Sequence, residues 1–217
     1  MSDDVKPRRY RSAHRREQAE HTRRRVLEAA AKLFEERGFE GTSIAAIAEQ
    51  ARVSQETVYA RFQNKRSVLG ELVQRAVRGE DPAPVLEQPG PRAVAAASDQ
   101  HAQLRLFAAD IALRLERAAP VVAIVAGAAR SEPELADLLT TLHAHRRENL
   151  RGLIDAVAAN GPLRLTVDQA LDTVWALTSP ELQQLLIRTR GWTRDHYRDW
   201  LAETLTRVLL IDDPNPS

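Results

Sequence analysis

The segment Ser54–Phe62 (SQETVYARF) gathers side chains suited to nucleic acid around two that are not. Gln55 and Arg61 carry paired hydrogen-bonding groups that match purine edges, and the methyls of Thr57 and Ala60 match the thymine methyl. Tyr59 offers a hydroxyl to a phosphate oxygen. Val58 and Phe62 lie four residues apart, on one face of a helix, and supply its inward contacts. Such a helix is only about two turns long, buries little, and seldom forms for stability alone.

The elements before and after it must hold it in place. Val26, Ala29, Ala30, Leu33 and Phe34 follow the spacing of one helical face. Gly38 stands where a left-handed helix end is expected. Thr42 or Ser43 caps a second helix carrying Ile44, Ile47, Ala48 and Ala51. Arg52-Val53 forms the turn, Ser54 caps the short helix, and Asn64 caps a fourth helix with Val68, Leu69, Leu72, Val73 and Ala76 inward. An amphipathic helix, a tight turn and a short polar helix are the geometry of a helix-turn-helix, whose second helix enters the major groove. The same pattern also fits an ordinary helical hairpin with a solvated face.

Beyond this unit, Gly79–Pro91 contains four Pro and two Gly and reads as a linker. Longer helices follow: 99–117 with Leu104, Phe107, Ala108, Ile111 and Leu115 inward, a short one from Pro120, and one from Pro133 to about Asn160. The next runs from Val167 to about Ile187 and is interrupted at Ser179-Pro180, and the last is capped by Thr193. No alternating strand pattern occurs. The expected fold is all-α, with about nine helices. Its divisions are a disordered basic arm (1–19), a helix-turn-helix domain (20–79), a linker (80–91), a larger helical domain (92–211), for which the family resemblance given below implies effector binding and dimerisation, and a tail (212–217).

Composition narrows the class. The chain has 217 residues, 43% of them hydrophobic, which excludes full disorder. It contains no Cys, hence no disulfide, thiolate nucleophile or Cys-based zinc site. No apolar run is long enough to span a membrane and the charged N-terminus lacks a secretory core, so a cytoplasmic protein is expected. The net charge of +1 hides an asymmetry: residues 1–80 hold 17 Lys/Arg against 12 Asp/Glu, the remainder 14 against 18. A basic first third is suited to a polyanion. Within residues 1–25, nine Lys/Arg face four Asp/Glu, and such an arm can follow the DNA backbone or enter the minor groove. There is no phosphate-binding loop, nucleophile elbow or HExxH motif, so no catalytic residues and no cofactor are expected. His101, Asp110 and Glu116 read as a solvated face. His143 and His145 are two apart on a helix and do not make a metal pair.

The run from Val26 to Leu72 resembles the N-terminal domain of the tetracycline-repressor (TetR) family. The resemblance rests on Ala30, Leu33 and Phe34, then Gly38-Phe39, Thr42-Ser43, Ile47-Ala48, Val53-Ser54, Thr57-Val58-Tyr59, Phe62, Asn64-Lys65 and Leu69. It implies a homodimeric transcriptional regulator, a repressor that binds an inverted-repeat operator and is released by a small-molecule effector. A ligand-dependent activator and a nonspecific architectural DNA-binding protein are the alternatives. The implied DNA-binding residues are Thr42, Ser43, Ser54, Gln55, Glu56, Thr57, Tyr59, Ala60, Arg61 and Lys65. Thr42 or Ser43, Tyr59 and Lys65 would hold phosphates, and the others would read or flank bases. Glu56 is discordant, since phosphates repel a carboxylate; it would accept from cytosine N4, or pair with Arg52 or Arg61. Many relatives carry a basic or polar residue where this chain has Ala45 or Ala46. The resemblance also implies a dimer interface in the last two helices, with Trp175, Leu182, Leu186, Trp200 and Leu205. The effector pocket would lie among Phe107, Ile111, Val125, Leu142, His145 and Trp175.

Overall fold

The computed structural model describes residues 6–211, and of residues 6–16 the backbone only. The described chain is all-α apart from one isolated bridge between Leu163 and Leu210. The helices are α1 (Lys6–Arg37), α2 (Ile44–Ala51), α3 (Gln55–Tyr59), α4 (Lys65–Arg78), α5 (Pro89–Ala96), α6 (Gln100–Ala128), α7 (Pro133–Ala159), α8 (Val167–Leu177), α9 (Pro180–Gln184) and α10 (Arg194–Leu209). A 3₁₀ turn spans Val85–Glu87, and α9 continues as a π-helical turn over Leu185–Thr189. Counting α8 with α9 as one broken helix gives nine.

The described residues divide into two compact units, with the boundary between Leu72 and Val73. In the first, the predicted apolar face of α1 is buried, Val26, Leu33 and Phe34 almost completely. Phe34 stacks on Phe39 with ring centroids 5.7 Å apart. Ile47 and Ala48 of α2, Val58 of α3, Phe62, and Val68 and Leu69 of α4 complete this core. Arg23 of α1 also forms a paired hydrogen bond with the Glu71 carboxylate of α4.

In the second unit α6 is the central helix, packed by α5, α7, α9 and α10. The core collects Leu104, Phe107, Leu115, Leu150, Ile154, Leu171, Tyr197, Leu201 and Leu205. Tyr197 is fully buried, and its hydroxyl donates to the Leu177 carbonyl at 3.0 Å, satisfying the end of α8. Burial raises the pKa of that phenol. Thr166 and Gln169 form a reciprocal capping box on α8. Ser179 caps α9 by accepting from the Leu182 N–H at 3.1 Å, with Pro180 in the first helical position, so the expected interruption is a complete break and restart.

Four expectations need correction. The arm is helical from Lys6 onward: Arg, Glu, Gln and Ala are good helix formers, and Pro7 falls in the first turn, where a missing N–H breaks no helical bond. Pro120 starts no helix but lies inside α6, where the buried neighbours Ala118, Ala119 and Val122 hold the helix through it. The 80–91 stretch is ordered, because the Gln88 side-chain amide donates to the carbonyls of Arg78, Asp81 and Ala83 at 3.1, 3.3 and 3.0 Å, and Pro89 opens α5. Leu205, expected at an interface, is fully buried within its own unit, whereas Trp175, Leu182, Leu186 and Trp200 keep part of their surface exposed. The tail 212–217 lies outside the described residues.

Candidate nucleic-acid interface and ligand cavity

Both helices of the helix-turn-helix start on a serine hydroxyl cap. The Ser43 hydroxyl accepts from the Ala46 N–H at 3.1 Å and starts α2. At the other end Arg52 adopts a left-handed conformation, φ 53°, and its N–H bonds back to the carbonyls of Ala48 and Glu49. Arg25 of α1 donates to the Ala51 and Arg52 carbonyls, where a cation also complements the helix dipole. Ser54 then accepts from the Thr57 N–H at 3.2 Å and starts α3.

α3 is shorter than predicted, ending at Tyr59, but the chain keeps turning. The Phe62 N–H bonds to the Val58 carbonyl at 2.8 Å. Val58 and Phe62 are buried, while Gln55, Glu56, Tyr59, Ala60 and Arg61 are exposed. Tyr59 stands out, with 53% of its surface exposed. Arg52 and Arg61 are exposed as well, and no described carboxylate pairs with either. The Glu56 carboxyl is held below its usual range by its own backbone N–H and by the Ser54 hydroxyl. It makes no ion pair with Arg52 or Arg61. Thr57 is half-buried, with its hydroxyl 3.1 Å from that of Ser54.

Two predicted phosphate contacts sit differently. Thr42 is buried, and its hydroxyl hydrogen-bonds with the carbonyls of Leu33 at 3.1 Å and Gly38 at 2.8 Å. It closes the α1–α2 connection from inside and is withdrawn from any surface; Ser43 is the exposed hydroxyl. Lys65 is half-buried, with its ammonium 4.1 Å from the centre of the Phe39 ring and donating to the carbonyls of Phe39 (2.6 Å) and Thr42 (2.9 Å). Its first task is to hold the same connection.

The second unit encloses a cavity of about 520 Å³. That is ample for a small ligand, whose sites span roughly 300–1,000 Å³. Phe107, Ile111, Leu142 and His145 line it as predicted. Val125 does not, being fully buried in the core, and Trp175 packs against the core behind it. His143, Arg114 and Arg146 also border the space. Asp110 is no solvated residue: its carboxylate pairs with Arg114 at 2.6 Å, and Arg114 also donates to the Gln88 side chain at 2.8 Å. Among the described residues no group of three or more His, Cys, Asp or Glu could hold a metal ion. No described helix is long and apolar enough to cross a membrane.

Sequence reasoning missed Arg146, because a long cation on a helix usually reads as solvated. Its spacing carried the signal: it lies four residues after Leu142 and four before Leu150, on the stripe that faces inward.

The family model described as bacterial regulatory proteins, tetR family, matches residues 26–72, the stretch that builds the interface. No curated protein sequence matches the chain. Among solved structures, a protein from Syntrophomonas wolfei described as a TetR-family transcriptional regulator superposes with TM-score 0.70 at 16% identity, covering 89% of this chain and 99% of that one. NalD of Pseudomonas aeruginosa, the secondary repressor of the MexAB-OprM multidrug efflux pump, gives 0.65 at 22%, with 90% and 99% covered. A transcriptional regulator from Saccharomonospora viridis in complex with choline gives 0.67 at 22%, with 88% and 98% covered. At these identities the structural likeness shows the fold, and the residue-level match comes from the family model. A capped, outward-facing α3 thus lies inside a segment that matches the tetR family model, carried on an all-α chain with the fold of TetR-family transcriptional regulators.

Proposed function

We propose that the protein is a homodimeric cytoplasmic repressor that binds an inverted-repeat operator and is released by a small molecule entering the cavity of the second unit. The observation that carries the reading is α3: a helix of five residues, capped by Ser54 and anchored by Val58 and Phe62, that exposes Gln55, Glu56, Tyr59, Ala60 and Arg61. One such helix is too small to supply both affinity and specificity, and a twofold dimer on two half-sites solves that geometrically. Gln55, Ala60 and Arg61 meet base edges, while Ser43 and Tyr59 meet phosphates.

The dimer forms through α8, α9 and α10. Trp175, Leu182, Leu186 and Trp200 present partly exposed apolar surface there, and Leu185 adds more with 52% of its surface exposed. Large apolar side chains of this kind suit an interface core. The effector reading rests on the cavity, supported by a choline-bound neighbour and by a neighbour described as a repressor. α4 borders the cavity with Gln74, Val77 and Arg78. An effector works only if it binds two states of the protein with different affinity.

The test is selection from a random duplex library with purified full-length protein, followed by sequencing. Enrichment of an inverted repeat, with half-sites one helical turn or a multiple apart, is expected. Equal recovery of all sequences by folded, dimeric protein would refute the reading.

A further inference from the structure

Only four buried polar side-chain atoms among the described residues lack a hydrogen-bond partner, and three of them belong to one cluster: Arg146 Nε, Arg146 Nη1 and Trp175 Nε1. All three are donors. The Arg146 guanidinium carbon lies 5.0 Å from the centre of the Trp175 ring. Its remaining nitrogen, Nη2, donates to the Trp175 carbonyl and to the Thr178 hydroxyl, at 3.0 Å for the latter. Both partners are neutral, and no described carboxylate reaches salt-bridge distance of Arg146. Burial pushes the guanidinium down to about 10, with Glu181 opposing the shift from farther away, so the group is still charged at neutral pH.

A buried cation with unmet donors is costly, and each unmet donor adds to the cost. Arg146 lines the 520 Å³ cavity, as do its neighbours His143 and Pro180. The other charges on the wall are accounted for. Arg114 is paired with Asp110, and Arg78 and Glu148 are exposed to solvent, which screens them. The rest of the wall is largely apolar, with Phe107, Ile111, Leu142 and Leu153 among its residues and His145 and Asn149 as neutral polar members.

We infer that the cavity takes an amphipathic anion whose head group, a carboxylate or a similar acceptor-only group, meets the unsatisfied Arg146 Nε and Nη1 donors while its apolar body lies along Phe107, Ile111 and Leu142. This inference rests on the reading of the cavity as the effector site. An anion is favoured over a neutral acceptor because it meets the donors and also the charge, and charge-assisted hydrogen bonds are roughly twice as strong as neutral ones.

The experiment is calorimetric titration of the full-length protein with three probes of matched chain length: decanoate, decanol and decyltrimethylammonium. Decanoate is expected to bind at least about tenfold more tightly than either other probe. In Arg146→Met that preference should fall to within about threefold, with decanol binding retained, while Arg146→Lys, which keeps the charge, retains most of it. A thermal melt of each unliganded variant checks folding. If Arg146→Met does not fold, Arg146→Gln, which removes the charge and keeps a polar side chain, should bring the preference for decanoate to within about threefold and leave decanol binding unchanged. Decanoate binding no better than decanol or the cation, or a preference that survives Arg146→Met, overturns the inference and leaves the cavity a ligand site. Binding of none of the three overturns the effector-site reading itself.

Discussion

Lys65 offers the sharpest test of how the first unit is built. A Lys in this position on a DNA-binding face invites the reading that it holds a phosphate, yet its ammonium is already committed to the carbonyls of Phe39 and Thr42 and to the face of the Phe39 ring. Lys65→Met keeps most of the aliphatic stem and removes the charge. Two charge-assisted hydrogen bonds in a half-buried setting contribute about 1.5 kcal/mol or more each. The contact with the ring adds about 0.5–1 kcal/mol. Water reaching the two abandoned carbonyls returns part of this, leaving a net loss of about 2 kcal/mol. Urea unfolding, with the slope checked for two-state behaviour, should show that loss as a lower midpoint at unchanged slope. Operator affinity of the fraction that remains folded should fall by less than about tenfold. A loss of stability under about 0.5 kcal/mol, coupled to a reduced salt dependence of DNA binding, would refute the reasoning and make Lys65 a phosphate contact first.

Other outcomes follow from the same geometry. Thr42→Val removes a buried hydroxyl bonded to two carbonyls and should cost about 1–2 kcal/mol in urea unfolding with little effect on DNA affinity, whereas Ser43→Ala should weaken both. Tyr59→Phe should leave the melting temperature unchanged and weaken binding to all duplexes alike, while Gln55→Ala should flatten base preference in the duplex selection. Gly90→Ala would place a Cβ 2.1 Å from the Asp110 carboxylate, so it should displace the Asp110–Arg114 pair and destabilise the second unit by about 1–3 kcal/mol, read by thermal melt. The Glu56 carboxyl should titrate below free glutamate by NMR, and Ser54→Ala should move it back up. Its contribution to stability is present above the unfolded value and is lost as the pH falls through the lower folded one.

Much of the first unit was legible because its signals are local. The spacing from Val26 to Phe34, the caps Ser43 and Ser54 and the inward pair Val58 and Phe62 each follow from a neighbourhood of a few residues. Thr42 and Ser43 show where that legibility ends. Both are good caps, and only the closure of the chain after Gly38 decides which hydroxyl turns inward. The second unit failed in the same way at Pro120. A proline usually marks a helix start, but the buried alanines on either side make continuation the better-packed answer. Leu205 could not be assigned to core or interface from periodicity, since both need an apolar face. Gly79–Pro91 has the composition of a linker, and only the distant partner Arg114, joined through Gln88, reveals it as ordered structure.

The π-helical turn at Leu185–Thr189 bears on how this chain accommodates insertions and deletions. The Arg190 N–H bonds to the Leu185 carbonyl, five residues back, so this turn holds one residue more than an α-helical turn would. Such bulges occur mostly as single turns, often at functional sites. In phase terms, deleting one residue between Leu185 and Thr189 would restore the ordinary repeat and rotate everything downstream by about 100° relative to the helix before it. Trp192, which stacks on His196 at 4.0 Å and meets Trp200 edge-on, would turn with both partners away from the surface they now pack against. The extra residue therefore acts as a phase setting that aims the aromatic cluster, and the segment should tolerate substitution far better than any change of length.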